Sequence, residues 1–241
     1  MIPLQKRIVS PTTLRFMKIS SERILYKDEH FLAVHKLSGE LVVRGSGPVV
    51  KLPLLDFLKK DFLGLRAVHR LDFETSGVVL FARTKAALEA VAPTKEEGGR
   101  TSGIAMEKTY VALVKGRPRD RQGVIKKPLP ARAGGEMVPA ETKYKILEEF
   151  ETVSLIEAVI TKGRHHQIRR HFQSIGNPLI LDDVYGDPKA NKAFSKAFQY
   201  RKFFLHAENL TFKHPFTGAE TAIKAPLPPA FETVLKKLRK G

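Results

Sequence analysis

Short apolar runs of β type, closed by turn residues, outnumber the helical stretches of this chain and do not alternate strictly with them. Ile24-Leu25-Tyr26 and Phe31-Leu32-Ala33-Val34 flank the turn Lys27-Asp28-Glu29 and predict two strands. Further strands are expected at 78–82, 110–114, 143–147, 153–160, 203–212 and 221–224. Glu148-Glu149 and His214-Pro215-Phe216-Thr217-Gly218 supply turns between neighbours. Helical spacing is confined to Leu54, Leu55, Leu58 and Phe62 after Pro53, to 85–92 before Pro93, to 166–175 before Gly176, and to a last helix. That last helix puts Phe231, Val234, Leu235 and Leu238 on one face, with basic residues at its C-terminal end, where the helix dipole favours them. Residues 94–103 and 126–139 are rich in glycine, proline or charge and read as surface loops. This order predicts an α+β fold with a largely antiparallel sheet, not a doubly wound parallel one.

Charge narrows the partner. Lys and Arg total 42 against 25 Asp and Glu, a net charge of +17 over 241 residues. A compact domain this basic repels itself unless an acidic partner offsets it, and nucleic-acid phosphate is the usual one. A basic surface kept for solubility and an anionic membrane are the alternatives. There is no cysteine, which excludes disulfides and thiolate metal sites. No apolar run approaches the roughly 18 residues of a membrane span. Residues 1–21 lack the apolar core of a signal peptide, so a cytoplasmic protein without membrane contact is expected. Residues 1–22 read as a basic leader, with Lys6, Arg7, Arg15 and Lys18 suited to touch RNA. Residues 23–241 suit one compact catalytic domain.

Several chemistries lack their motifs. Neither a Gly-x-x-x-x-Gly-Lys-Ser/Thr loop nor a Gly-x-Gly-x-x-Gly fingerprint occurs. His206-Ala207-Glu208 has no Cys-x-x-Cys to complete a zinc deaminase site. His165, His166 and His171 lie among Arg164, Arg169 and Arg170, where a dication is repelled, so no metal is expected.

Three segments concentrate functional residue types. In His69-Arg70-Leu71-Asp72-Phe73-Glu74-Thr75-Ser76-Gly77 a carboxylate follows an arginine by two residues and precedes an apolar strand. An ionised carboxylate there is a nucleophile or base, but by residue type alone a structural turn aspartate is the stronger reading. Lys108-Thr109-Tyr110 places a phenol on a strand, where it either stacks on a base or packs in the core. Gly163-Arg164-His165-His166-Gln167-Ile168-Arg169-Arg170-His171 is a dense phosphate-binding candidate or a solvated basic face. On a helix, Gln167 shares a face with Arg170 and His171, Ile168 turns to the core, and Arg169 projects elsewhere, toward a buried carboxylate.

Together with Leu205-His206-Ala207 and His214-Pro215-Phe216-Thr217-Gly218, these segments resemble the RluA-type pseudouridine synthases, which act on ribosomal and transfer RNA. The resemblance runs from Ile24 to about Pro226. It implies a mixed, mainly antiparallel sheet flanked by helices with a central active-site cleft, and isomerisation of uridine by base flipping without metal or organic cofactor. It implies a monomer acting on structured RNA. It makes Asp72 the catalytic acid residue, Tyr110 a ring against the uracil that assists proton removal from C5, and Arg169 the partner of Asp72. Arg70 fills the stack vacated by the flipped uridine and Ile168 walls the base pocket. His69, Arg164 and Gln167 complete the substrate-binding set.

The chain departs from the family pattern at two places. Lys36-Leu37-Ser38-Gly39 lacks the proline that usually follows the lysine, and Pro178-Leu179-Ile180-Leu181-Asp182 lacks the glycine that usually precedes the aspartate. No S4-type RNA-binding domain is evident. A non-catalytic RNA-binding protein of the same fold is the rival reading; Asp72, Tyr110 and Arg169 are the residues it is expected to have lost.

Overall fold

The computed structural model describes residues 19–45, 51–92, 94–95, 101–102, 104–131 and 134–240. The leader residues Lys6, Arg7, Arg15 and Lys18 lie outside these. After a single 3-10 turn (Ser21–Arg23) come β1 (Ile24–Lys27), β2 (Phe31–Lys36), α1 (Leu54–Leu58), β3 (Arg66–Ala67), β4 (Ser76–Ala82) and α2 (Lys85–Val91). A short ribbon, β5 (Thr94–Lys95) with β6 (Thr101–Ser102), precedes β7 (Met106–Lys115), β8 (Gln122–Lys126), β9 (Leu129–Pro130), β10 (Met137–Val138), β11 (Glu141–Glu149) and β12 (Val153–Ile160). The chain ends with α3 (Gln167–Ser174), α4 (Pro188–Phe198), β13 (Leu205–Lys213), β14 (Glu220–Lys224) and α5 (Pro229–Leu238).

Ten strands form one sheet in the order β1-β2-β4-β13-β7-β12-β11-β8, with β3 beside β4 and β14 beside β13. Every pairing is antiparallel except β4 with β13. The expected α+β, mainly antiparallel sheet is therefore the architecture.

Alternation along the strands sorts side chains to two faces. On β2, Leu32 and Val34 join one apolar cluster while Phe31 and Ala33 join another. On β7, Tyr110, Ala112 and Val114 face the first cluster, and Val111 and Leu113 a third, where Phe194 of α4 and Phe231 of α5 pack. Each fully buried Phe or Leu contributes about 1.5–3 kcal/mol of transfer free energy. With both faces covered, β4 is buried along its whole length.

The parallel contact between β4 and β13 is short, Ser76 opposite His206 and Gly77 opposite Ala207. Beyond it the strands diverge, β4 pairing with β3 and β13 with β14. Ser76 Oγ lies 2.9 Å from His206 Nδ1, and His206 Nε2 lies 3.3 Å from the Ala225 carbonyl. The carbonyl only accepts, so Nε2 donates to it and Nδ1 accepts from the serine. Burial pulls the His206 imidazole down to about 4, so the bridge is uncharged at neutral pH. Gly77 has φ +123°, and a Cβ there would fall 2.2 Å from the Ala207 carbonyl oxygen. Only glycine allows that approach.

Three expectations are corrected. Residues 126–139 carry the β9–β10 ribbon, with Leu129 buried, instead of a structureless loop. The 94–103 segment likewise holds the β5–β6 ribbon. The helix expected at 166–175 begins at Gln167, because His166 is left-handed at φ 52° and cannot continue it. The helix α4 and strands β3 and β8 were not expected.

Gly77→Ala is expected to lower stability by more than about 3 kcal/mol, because rigid backbone, not a mobile side chain, opposes the new methyl. Urea unfolding followed by circular dichroism measures this; an unchanged midpoint would contradict the close approach.

Candidate active site

Residues 68–75 double back over β4 and carry Asp72. The Val68 amide donates to the Leu80 carbonyl at 3.1 Å, and the Leu80 amide donates to His69 Nε2 at 3.2 Å. Lys36, fully buried at the end of β2, donates to the carbonyls of Phe73 at 2.9 Å, Thr75 at 2.6 Å and Leu37 at 3.2 Å. Burial pulls the Lys36 ammonium down to about 7, while its three carbonyl acceptors favour the charged form. The loop is thus tied to the sheet from two sides. The Leu37 amide donates to the Glu40 carboxylate at 2.8 Å.

Opposite this loop, α3 presents Arg169. Its Nε and Nη2 donate to Asp182 at 2.7 and 2.8 Å in a bidentate pair. The guanidinium lies 5.0 Å from the rings of both Tyr185 and Phe203. Burial pushes the Asp182 carboxyl up, but Arg169 and the Tyr185 and Val184 amides outweigh it and hold the carboxyl below its ordinary value. Only Arg169 Nη1 turns toward Asp72, 3.6 Å from Oδ2, beyond hydrogen-bond length. Arg169 and Asp72 are therefore neighbours across the cleft, and the firm partner of Arg169 is Asp182. The aspartate sits on a strap that docks through the Ile180 amide on Leu113 (2.9 Å). The strap is clamped by Asn191 of α4, whose Oδ1 accepts from Leu181 N at 2.7 Å.

Leu181 occupies the left-handed region at φ 63° while burying its side chain to 7% exposure. A leucine there bears a strain of order 1 kcal/mol that a glycine does not.

Between loop and helix lies a cavity of about 770 Å³, lined by Asp72, Tyr110, Ile168, Arg169, Leu71 and Leu205 among others. A flipped nucleoside fits that size. Tyr110, 6% exposed on β7, has its phenol pushed well above the usual tyrosine range by burial and then by Asp72, so it is a neutral hydroxyl. Burial pulls the neighbouring Lys108 down to about 8.

The structure brings all the expected residues to this cleft but gives some of them other partners. Arg70 is exposed at the rim and Arg164 half-buried beside it. Gln167 is committed inside the protein: Oε1 accepts from the Arg164 amide at 3.0 Å, and Nε2 donates to the Glu141 carbonyl at 2.8 Å. His171, one helical turn on, meets Thr142 Oγ1 at 2.8 Å, as the shared face with Gln167 requires. The His69 ring supports the loop from beneath. Sequence reasoning did not assign Lys36, Lys108, His166, Asp182, Tyr185 or Phe203 to the site. His166 Nε2 stands 3.7 Å from Asp72 Oδ1.

Over the centre of the mainly antiparallel sheet the cleft thus gathers an acid, a phenol and an anchored arginine. A family model described as RNA pseudouridylate synthase matches residues 30–174. The chain belongs to this family. Ribosomal large subunit pseudouridine synthase C of Pasteurella multocida is 35% identical over 95% of this chain and 72% of its own length. The protein of that name from Vibrio parahaemolyticus is 36% identical, over 97% and 75%. Among solved structures, human RNA pseudouridylate synthase domain containing 4 superposes with a TM-score of 0.69 at 25% identity, covering 90% of this chain and 92% of its own. Domain containing 1 superposes at 0.66 and 22% identity, over 93% and 98%, a likeness of fold.

Replacing Leu181 tests the strap. Alanine and glycine both lose the buried side chain, but glycine alone relieves the left-handed backbone. Leu181→Gly is expected to be about 1 kcal/mol more stable than Leu181→Ala, the reverse of their usual order. Paired urea titrations decide it.

Proposed function

We propose that this enzyme converts uridine to pseudouridine in ribosomal RNA of the large subunit, with Asp72 as the essential carboxylate. The observation that carries the reading is the placement of Asp72: half-exposed over the cleft, facing Arg169 and Tyr110, with no hydrogen bond to its carboxylate oxygens among the described residues. The choice of RNA rests on relatives named for the large ribosomal subunit.

The reaction breaks the N1–C1′ bond, turns the uracil, and joins C5 to C1′. The proton on C5 is lost and N1 gains one, so atoms balance without a redox partner. Asp72 acts on the sugar, as nucleophile or as base. Tyr110 lies against the uracil; a neutral phenol there packs on the ring and hydrogen-bonds, and it removes a C5 proton only after passing its own on. Arg70 takes the place of the flipped base, its guanidinium stacking on the neighbours and offsetting part of the few kcal/mol that flipping costs. Ile168 walls the pocket, and Arg164 holds phosphate. His69 and Gln167 serve the substrate indirectly, through the loop and the start of α3.

We take the enzyme to act as a monomer. Among the described residues no helix is long and apolar enough to cross a membrane. We place the enzyme with its RNA in the cytoplasm, with residues 1–22 as a basic arm beside the 23–241 catalytic domain.

Wild-type enzyme is expected to release tritium from large-subunit rRNA carrying 5-tritiated uridine. Asp72→Asn is expected to lose at least about 1,000-fold in rate while binding RNA with unchanged affinity. Wild-type turnover in the Asn variant removes Asp72 from the mechanism.

A further inference from the structure

The donor at the second oxygen of Asp72 has no assigned role. His166 joins the 161–165 turn to α3 in the left-handed conformation, φ 52°, and its ring stacks on His165 with centroids 3.8 Å apart. Nε2 points to Asp72 Oδ1 at 3.7 Å, and Nδ1 lies 3.1 Å from the Tyr185 hydroxyl. Tyr185 also receives Arg170 Nε at 2.9 Å.

These contacts fix where the protons are. An arginine Nε–H only donates, so the Tyr185 oxygen accepts from Arg170. Its own proton then has His166 Nδ1 as its protein acceptor. The neutral imidazole consequently carries its proton on Nε2, facing the carboxylate. The opposite tautomer leaves the tyrosine proton without a protein partner and aims a nitrogen lone pair at a carboxylate lone pair.

We propose that His166 is a positioning residue for the Asp72 carboxylate, and that Arg170 and Tyr185 act through it by setting its tautomer. The assignment rests on the pseudouridine synthase reading. Asp72 then has one donor beside each oxygen, His166 Nε2–H at Oδ1 and Arg169 Nη1–H at Oδ2, which together set the plane of the group. Both distances exceed hydrogen-bond length, so both oxygens keep lone pairs for the substrate. Burial, Arg169, His165 and Arg170 outweigh Asp72 and hold His166 down at about 4. A dipole, not a second cation, therefore orients the carboxylate, and its reactivity toward the sugar is preserved.

Two measurements test this. In the free enzyme, nitrogen-15 spectra of the His166 ring are expected to show the Nε2–H tautomer, and Tyr185→Phe to give a mixture. The phenylalanine keeps the aromatic face beside Arg169 and Arg170, so folding, checked by the unfolding midpoint, is preserved. In kinetics, His166→Ala and Tyr185→Phe are each expected to lower kcat about tenfold or more with KM for RNA nearly unchanged. The double variant is expected to be no slower than His166→Ala, because the two side chains act as one unit. An Nδ1–H tautomer in the wild type, or additive losses in the double variant, overturns the proposal. If the wild type isomerises no uridine, the enzymatic reading fails separately, and the ring spectrum still decides the tautomer.

Discussion

The approach of Gly77 to the Ala207 backbone is the constraint on which the site depends. Register carries it across the sheet: Lys36 opposes Gly77, Gly77 opposes Ala207, Ala207 opposes Tyr110, and Tyr110 opposes Ala158. One row thus holds the lysine that ties the Asp72 loop and the tyrosine of the cleft, separated by residues with almost no side chain. A larger residue at position 77 would part β4 from β13 and separate the Asp72 loop from Tyr110. The short parallel seam also explains the branching. Two strands that touch over two residue pairs and then diverge leave edges exposed, and β3 and β14 cover them.

A second layer of order comes from the Arg169–Asp182 pair. Burying two charges is costly, and pairs of this kind contribute little net stability. What the pair supplies is a fixed guanidinium. Two of its nitrogens are held by Asp182 and its faces by Tyr185 and Phe203, so the third nitrogen has one place to point.

The parts of the fold with strong local signals were legible in the sequence. Apolar runs of β type marked β2, β4, β7, β11, β12 and β13, and the three functional segments converge on one cleft. Weaker elements escaped. Strand β8 buries only Ile125, so it shows little alternation, and β3 is two residues long. Helix α4 offered a cap followed by proline, Asp187-Pro188, but its lysines and alanines leave few apolar positions to count. Long-range pairings were the least visible. Nothing local to Lys36 announces two carbonyls on a loop 37 and 39 residues away, and nothing local to Gln167 shows that its amide is already committed. Arg169 does stand beside Asp72, but its firmer partner, Asp182, is recognised only when the strap is folded against α3.

Asp182 also divides the cleft by charge. With Arg169 compensated and His166 neutral, the floor sets Asp72 against Lys108 and carries little net charge. The rim carries Arg70 and Arg164, neither of which has an ion-pair partner among the described residues. A nucleotide is itself divided, with an anionic phosphate on one side of the sugar and an uncharged uracil on the other. The phosphate is drawn to the edge, while the uracil has no such pull toward it. Through this polarity the cleft orients a nucleotide before any base-specific contact forms.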